Sequence, residues 1–439
     1  MAGKLIRDAV HGDIRFDALE MAVVDTPPVQ RLRGIRQLGA SHLVYPSAVH
    51  TRFEHSLGTA WLAKRLLAEL AERGTPLPPE DQVAVPLAAL LHDVTHVPFG
   101  HTFEDERRLF GRHDEDEHRL DHFLSEPTLA SALARSGVGQ RVRQLLTERS
   151  GVAAEVVSGT ICADLLDYLR RDAHGTGLPQ VYDDRIYRAF TTLDGHLAVD
   201  LQKQGLLRHD VLSELIHLLR VRYNLTERVY YHHAKTVAGA MVSKALEMAL
   251  EAGRFARDEL YGLGDESFLW LLRERLADRP DAATLLADLA GRRLYKRVYQ
   301  TGLRGLGDHG IDAETQARLA AVYHYDPAAR RVAEERLALA LGLAPSEVLI
   351  YCPSPRMQLK EASVPVCVAP GQVTALDQLN NAEVASLGAK YRTLWRLLVC
   401  LRRDREALAA RAGDLAAELF GAPNLLTLSQ RGSLAFGAD

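Results

Sequence analysis

Residues 90–103, LLHDVTHVPFGHTF, constrain this chain more than any other stretch. An apolar run ending in Leu90 and Leu91 gives way to His92, Asp93, His96 and His101, while Pro98 and Gly100 close the helix. His92 and His96 stand four apart and share one helix face. Asp93 lies about 100° round from His92, close enough to lean toward the same point. Three imidazoles and a carboxylate behind an apolar run are costly to bury unless something satisfies them. A metal ion with a phosphate beside it does so; surface histidines at a frayed helix end are the plainer alternative.

A chain of 439 residues predicts two to three domains at roughly 150 residues each. Its 47% hydrophobic and 25% charged residues match an ordinary globular protein. A net charge of -4 argues against a broad electrostatic grip on nucleic acid and leaves room only for a local basic groove. No run reaches transmembrane length, and MAGKLIRDAV lacks an apolar signal core, so no membrane partner and a cytoplasmic location are expected. Cys162, Cys352, Cys367 and Cys400 form no CxxC pair and fit a reducing compartment. The histidines are the outlier: half of the 18 fall between His42 and His122.

In chain order, residues 1–20 read as a strand and turn around His11-Gly12-Asp13. Residues 25–38 read as a helix, capped by Asp25 or Thr26 and begun on Pro27 and Pro28. Thr51 and Glu54 make a capping-box pair, so the next helix starts at Thr51 and runs to Arg73. Arg52 and His55 then fall in its first turn, where backbone N–H groups favour an anion. Residues 74–79 are a linker. The charged run after Phe103 reads largely as a solvated helical face, including His118 and His122, and two amphipathic helices are expected in 127–158.

Residues 161–173, ICADLLDYLRRDA, stack Asp164, Tyr168 and Asp172 at four-residue steps, opposite Ile161, Leu165, Leu166 and Leu169. A solvated face accounts for the acids and arginines but not for the tyrosine among them, which favours a stripe facing a site. Residues 183–205 predict a hairpin turning at Asp194-Gly195. One or two long helices span 209–248, with RVRYNLTERVYYHHAKTV as either site lining or a basic outer face. Helices are expected at 267–277, 281–299 and 312–324. VLIYCP and VPVCV suggest a small hairpin or sheet patch within 345–370, and 381–419 reads as a long helical stretch. The last fifteen residues are expected to be poorly ordered.

Taken as one set, His55, His92, Asp93 and Asp164 are four nitrogen and oxygen ligands from three helices. They suit iron, manganese, nickel or zinc, with magnesium at a second position. Such an ion lowers the pKa of bound water and polarises a phosphoryl oxygen. His96, His101 and His113 are then available to hold phosphates or to act as general acid, which is worth typically about 10² to 10⁴ in rate. Glu104, three residues after His101, can orient an imidazole.

These residues resemble the H…HD…D signature of the HD-domain phosphohydrolase superfamily. Five ordered motifs narrow the resemblance: QRLRGIRQLG (30–39), RFEHSLG (52–58), HDVTHVPFGH (92–101), DLLDYLRRD (164–172) and RYNLTERVYYH (222–232). They resemble the SAM-and-HD-domain-containing deoxynucleoside triphosphate triphosphohydrolases and their bacterial relatives. The similarity runs from about residue 4 to 300 and more faintly to about 400.

The resemblance implies a mainly α fold: an all-helical HD-domain core with a small β-hairpin over 1–300, and a mixed α/β region over 301–439. It implies metal ligands at His55, His92, Asp93 and Asp164, with catalytic or phosphate-contacting roles for His96, His101 and His113. His101 is the expected acid for the leaving 5′-oxygen, and Glu104 stands where the family often has Asp. Arg52 and Arg222 are implied as triphosphate clamps, a role that suits the guanidinium fork. Gln37, Leu38 and Asp172 fall where the sugar 3′-hydroxyl is held, and Tyr168 and Tyr230 where deoxyribose packs. The implied reaction is attack of water at the α-phosphorus of a dNTP, releasing deoxynucleoside and inorganic triphosphate.

Some positions depart from the pattern. Leu165 stands where the mammalian-type enzyme has Lys, and Tyr231 leaves base preference unread. No SAM domain is expected, because the HD region begins almost at Met1. Asp25, Gln30 and Arg33 match a guanine-nucleotide activator site, but Arg7 and His233 replace residues such sites use. A homo-oligomer is compatible with the sequence. The same metal set also serves cleavage of ppGpp, cyclic nucleotides or single-stranded nucleic acid, or sits idle in a binding scaffold.

Overall fold

The computed structural model describes residues 3–148, 150–305 and 309–426. All but two of the last fifteen residues therefore lie outside the described ones.

Helices dominate the first half of the chain, and their contacts converge on the Arg52–Glu72 helix. It starts where its capping box demands: Thr51 accepts from the N3 backbone, and Glu54 Oε2 takes the Thr51 N–H at 2.6 Å. The Pro79–Leu91 helix packs along it, and Ala163–Thr176 crosses the same helix. Leu57, Ala60, Leu66, Leu87, Leu90, Leu166 and Leu169 fill the seam between the three. Long apolar faces at helical spacing bury one another here, which is what holds three chain-distant segments in register.

Several expected boundaries move. The helix read over 25–38 is only Pro27–Arg31 plus the turn Leu32–Gly34. Beyond it Ile35 is extended, and the Arg36 N–H donates to Asp265 Oδ2 at 3.0 Å. An unanticipated helix, Ala18–Val24, precedes it, capped reciprocally by Asp17 and Glu20. Residues 127–158 hold three helices rather than two. The hairpin turning at Asp194-Gly195 forms as Phe190–Leu193 against His196–Asp200.

The C-terminal half departs further from the expectation. The helix read over 281–299 ends at Ala290, and Lys296–Gly302 is a strand. The helical stretch expected at 381–419 is broken by a strand, Arg396–Leu401, between the helices Ala382–Arg392 and Ala409–Phe420. Leu397–Leu401 are buried at the centre of a three-stranded sheet, flanked by Lys296–Gly302 and Val348–Tyr351. A strand buried on both faces reads as a continuous apolar run, which spacing alone does not separate from a buried helix. VLIYCP and VPVCV do not pair with each other. Val348–Tyr351 joins the sheet just named, whereas Pro365–Ala369 lies parallel to His196–Asp200 of the hairpin. That parallel pairing stitches the C-terminal part to the helical core.

A buried ionic network makes a second tie. Arg107, fully buried, donates to Glu334 at 2.7 and 2.9 Å and to Glu247 at 2.9 Å, and the Arg330 guanidinium donates to the Arg107 carbonyl at 2.9 Å. The Ile350 N–H completes Glu334. Charges this deep persist because each has several partners.

Candidate active site

The three packed helices bring His55, His92, Asp93 and Asp164 to one point. His55 Nε2 lies 3.1 Å from His92 Nε2, 3.0 Å from Asp164 Oδ1 and 3.8 Å from Asp93 Oδ2. His92 Nε2 lies 3.6 Å from Asp93 Oδ1 and 3.7 Å from Asp164 Oδ1. The far side of each ring is already committed. His55 Nδ1 is 2.7 Å from Asp167 Oδ2, and His92 Nδ1 is 2.7 Å from the Ala89 carbonyl. Both partners accept, so each neutral ring carries its proton on Nδ1 and turns the Nε2 lone pair inward.

Two facing lone pairs and two carboxylates, with no donor among them, suit a divalent cation. Adjacent ligand atoms about 2.1 Å from an octahedral ion sit about 3.0 Å apart. His55 Nε2 stands at that spacing from His92 Nε2 and Asp164 Oδ1, and the remaining His–Asp pairs lie 3.6 to 3.8 Å apart. Without a cation a proton takes its place. Burial opposes a charged His55, yet Asp164 and Asp167 hold its pKa up to about 10. The residues therefore fit the metal.

Asp167 is fully buried and belongs to this arrangement. It accepts from Arg171 at 2.8 and 2.9 Å, and its Oδ1 is 2.6 Å from His11 Nε2. Gly58 is required beside it, because a Cβ there would collide with the Asp167 carboxylate. Sequence reasoning placed Asp167 and Arg171 on the flank of the stripe and His11 in a turn. The helical step from Asp164 to Asp167 was the available signal, while His11 carried none.

A second histidine group adjoins the first. The His96 ring lies 3.7 Å from that of His113 and 4.7 Å from that of His101, centre to centre. Glu104 Oε2 is 3.1 Å from His101 Nδ1 and 3.2 Å from His113 Nδ1, and its other oxygen accepts the His113 N–H. Burial opposes the Glu104 carboxylate, but His113 and His101 keep it well below the usual range. Partial burial likewise opposes a charged His101, and Glu104 outweighs it, so this pKa is raised. For His113 burial wins and the pKa falls. Burial, Arg52 and His113 push His96 well down. His96 Nε2 stands 3.1 Å from Asp93 Oδ1 but out of line, so neither of its ring nitrogens has a hydrogen-bond partner among the described residues.

One cavity of about 590 Å³ opens onto both groups, lined by His55, His92, Asp93, Asp164, His101 and His113. Gln37, Arg52 and Tyr168 also line it. Gln37 Oε1 is buried there without a hydrogen-bond partner among the described residues. Arg52 donates to Asp93 Oδ2 at 2.6 Å rather than standing free, and Gly100, at φ +57, keeps a Cβ out of its guanidinium. Leu38, Asp172, Arg222 and Tyr230 do not line this cavity. Asp172 takes the Tyr230 hydroxyl at 2.6 Å, with His50 Nε2 2.9 Å from its other oxygen. Arg222 lies between the rings of Tyr168 and Tyr230, 5.4 and 5.2 Å from their centres. Leu165 is buried on the cavity wall. Gln30 and Arg33 hydrogen-bond to each other, and Arg33 covers Phe53. His118 and His122 are exposed.

A model of the HD domain matches residues 52–172, and one of the HD-associated region matches residues 216–421. An uncharacterized protein of Methanocaldococcus jannaschii is 32% identical over 296 residues, covering 65% of this chain and 59% of that one. The deoxynucleoside triphosphate triphosphohydrolase SAMHD1 of Bos taurus is 29% identical over 349 residues, covering 68% and 59%. The chain thus spans about three fifths of the length of these relatives. A crystal structure of a phosphohydrolase from Bacteroides thetaiotaomicron superposes with a TM-score of 0.69 at 22% identity, covering 91% of this chain and all of that one, and so shares the fold. The chain belongs to the HD-domain phosphohydrolase superfamily: an HD domain followed by an HD-associated region. An HD domain implies a divalent-metal site, and the ligand atoms of His55, His92 and Asp93 lie close enough together to share one ion. No helix among the described residues is long and apolar enough to cross a membrane.

Proposed function

We propose that the chain is a metal-dependent deoxynucleoside triphosphate triphosphohydrolase. One juxtaposition carries this reading: a cation nook of two imidazoles and two carboxylates shares a cavity with a pair of histidines bound to Glu104. Relatives named as deoxynucleoside triphosphate triphosphohydrolases, similar over 68% of this chain, support it.

His55, His92, Asp93 and Asp164 would hold the cation, which when bound supplies Lewis-acid polarisation of the α-phosphoryl oxygen and acidifies water. The remaining work falls to the chain. His101, kept protonated by Glu104, gives its proton to the 5′-oxygen as the bond from that oxygen to the α-phosphorus breaks. His113, whose Nδ1–H is taken by Glu104, and the buried His96 have lowered pKa values that keep them neutral, so they pack around the acid without adding charge. Arg222 grips the polyphosphate as a fork. Gln37 Oε1, a buried acceptor with no partner, takes the 3′-hydroxyl. Tyr168 and Tyr230, the latter bonded to Asp172, close the sugar pocket against a 2′-hydroxyl, with Leu38 as a further sugar contact.

Incubation of the metal-loaded protein with each dNTP and rNTP tests this, with inorganic triphosphate as the readout. Triphosphate and deoxynucleoside are expected from dNTPs, with ribonucleotides at least about tenfold slower. Equal turnover of rNTPs overturns the sugar assignment. No turnover, together with binding of single-stranded DNA, replaces the enzyme by a scaffold.

A further inference from the structure

Arg222 has two hydrogen-bonding edges, and the HD-associated region occupies one of them. Its Nε–H donates to Glu361 Oε1 at 3.0 Å, while neither terminal nitrogen makes a hydrogen bond among the described residues. Glu361 is itself buried, 6% exposed, and lines the cavity beside Tyr168. It comes from a short turn, Lys360–Ser363, that leads directly into the strand paired with the core hairpin. That register fixes where the carboxylate stands. The Tyr168 and Tyr230 rings limit the guanidinium from its faces, and Glu361 limits rotation in its plane.

We propose that Glu361 is a positioning residue for the phosphate clamp. By holding the Nε edge of Arg222 it aims the terminal NH₂ pair, the edge suited to a bidentate phosphate contact, and the HD-associated region thereby completes the active site. This rests on the role of Arg222 given under the proposed function. The opposite role, a carboxylate that occupies the phosphate's place, would leave the terminal edge bonded and the Nε edge idle. The observed contact is the reverse.

Two substitutions in the full-length chain separate these roles, read by the affinity for inorganic tripolyphosphate and by KM and kcat for a dNTP. Glu361→Ala removes the acceptor, and about a tenfold loss of tripolyphosphate affinity is expected, with a matching rise in KM and a smaller change in kcat. Glu361→Gln keeps an oxygen for Nε and is expected to stay within about threefold of wild type on both measures. Tighter tripolyphosphate binding by both variants overturns the inference in favour of a competing carboxylate. Unchanged binding by a folded Ala variant overturns it as well, while leaving the Arg222 clamp intact. Failure of the wild-type protein to bind tripolyphosphate removes the clamp itself, and the inference with it.

Discussion

The two histidine groups stand side by side yet are wired oppositely. In the first, each ring has its outer nitrogen fastened to a fixed acceptor, Asp167 or the Ala89 carbonyl, and the inner nitrogens face one another. In the second, one carboxylate, Glu104, bridges the Nδ1 atoms of His101 and His113, and the third ring has no hydrogen bond among the described residues. Fixed tautomers with converging lone pairs make ligands, because a metal needs several deprotonated donors at once. A shared carboxylate with one ring raised and the other lowered makes a proton donor beside neutral rings. The same residue type does two jobs, and the partner of the far nitrogen decides which.

The largest expected effect removes one side of this contrast. His92→Ala or Asp164→Ala should abolish both bound metal and hydrolysis, measured by metal analysis and triphosphate release. Activity retained in either variant would break the assignment of the first group. A milder change tests the wiring alone. Asp167→Asn leaves all four ligands in place but weakens the hold on His55 Nδ1. It should lower metal affinity by about 10- to 100-fold, measured by competition with a chelator. Unchanged affinity would mean that Asp167 serves the packing of Arg171 and His11 only.

Much of this was legible in residues and spacing. His55, His92, Asp93 and Asp164 could be read because a helical step, a capping box and an apolar flank fix where each side chain starts. Glu104 was legible as three residues from His101. Asp167 was visible only as a charge beside the stripe, since its partners His11 and His55 reach it through tertiary packing. Glu361 could not be read at all: its meaning depends on a parallel pairing, Val199 with Val366, across chain segments far apart. The strands at Lys296–Gly302 and Arg396–Leu401 escaped for a related reason. The apolar run of Arg396–Leu401 satisfies helix and buried strand alike, Lys296–Gly302 carries no apolar run at all, and only their mutual pairing decides for strand.

The smallest effect is a titration, and it tests the second group directly. In metal-free protein, the ring signals of His101 and His113, followed by NMR against pH, should move in opposite directions from the ordinary value of about 6.5. His101 should titrate above it, because Glu104 favours its charged form over partial burial and the repulsion of Arg52. His113 should titrate below it, because burial prevails there over the same carboxylate. The signs carry into stability. The contribution of His101 is fully present below the unfolded value and is lost as pH rises through its raised folded value. That of His113 is lost as pH falls below the unfolded value. For catalysis, a rate that needs protonated His101 declines about tenfold per pH unit above its pKa. Glu104→Gln removes the charge that both rings feel, so both pKa values should drop and the alkaline limb of the rate profile should move to lower pH. If His101 keeps its raised value in that variant, Glu104 is not what holds the proton, and the division of labour between the two groups fails.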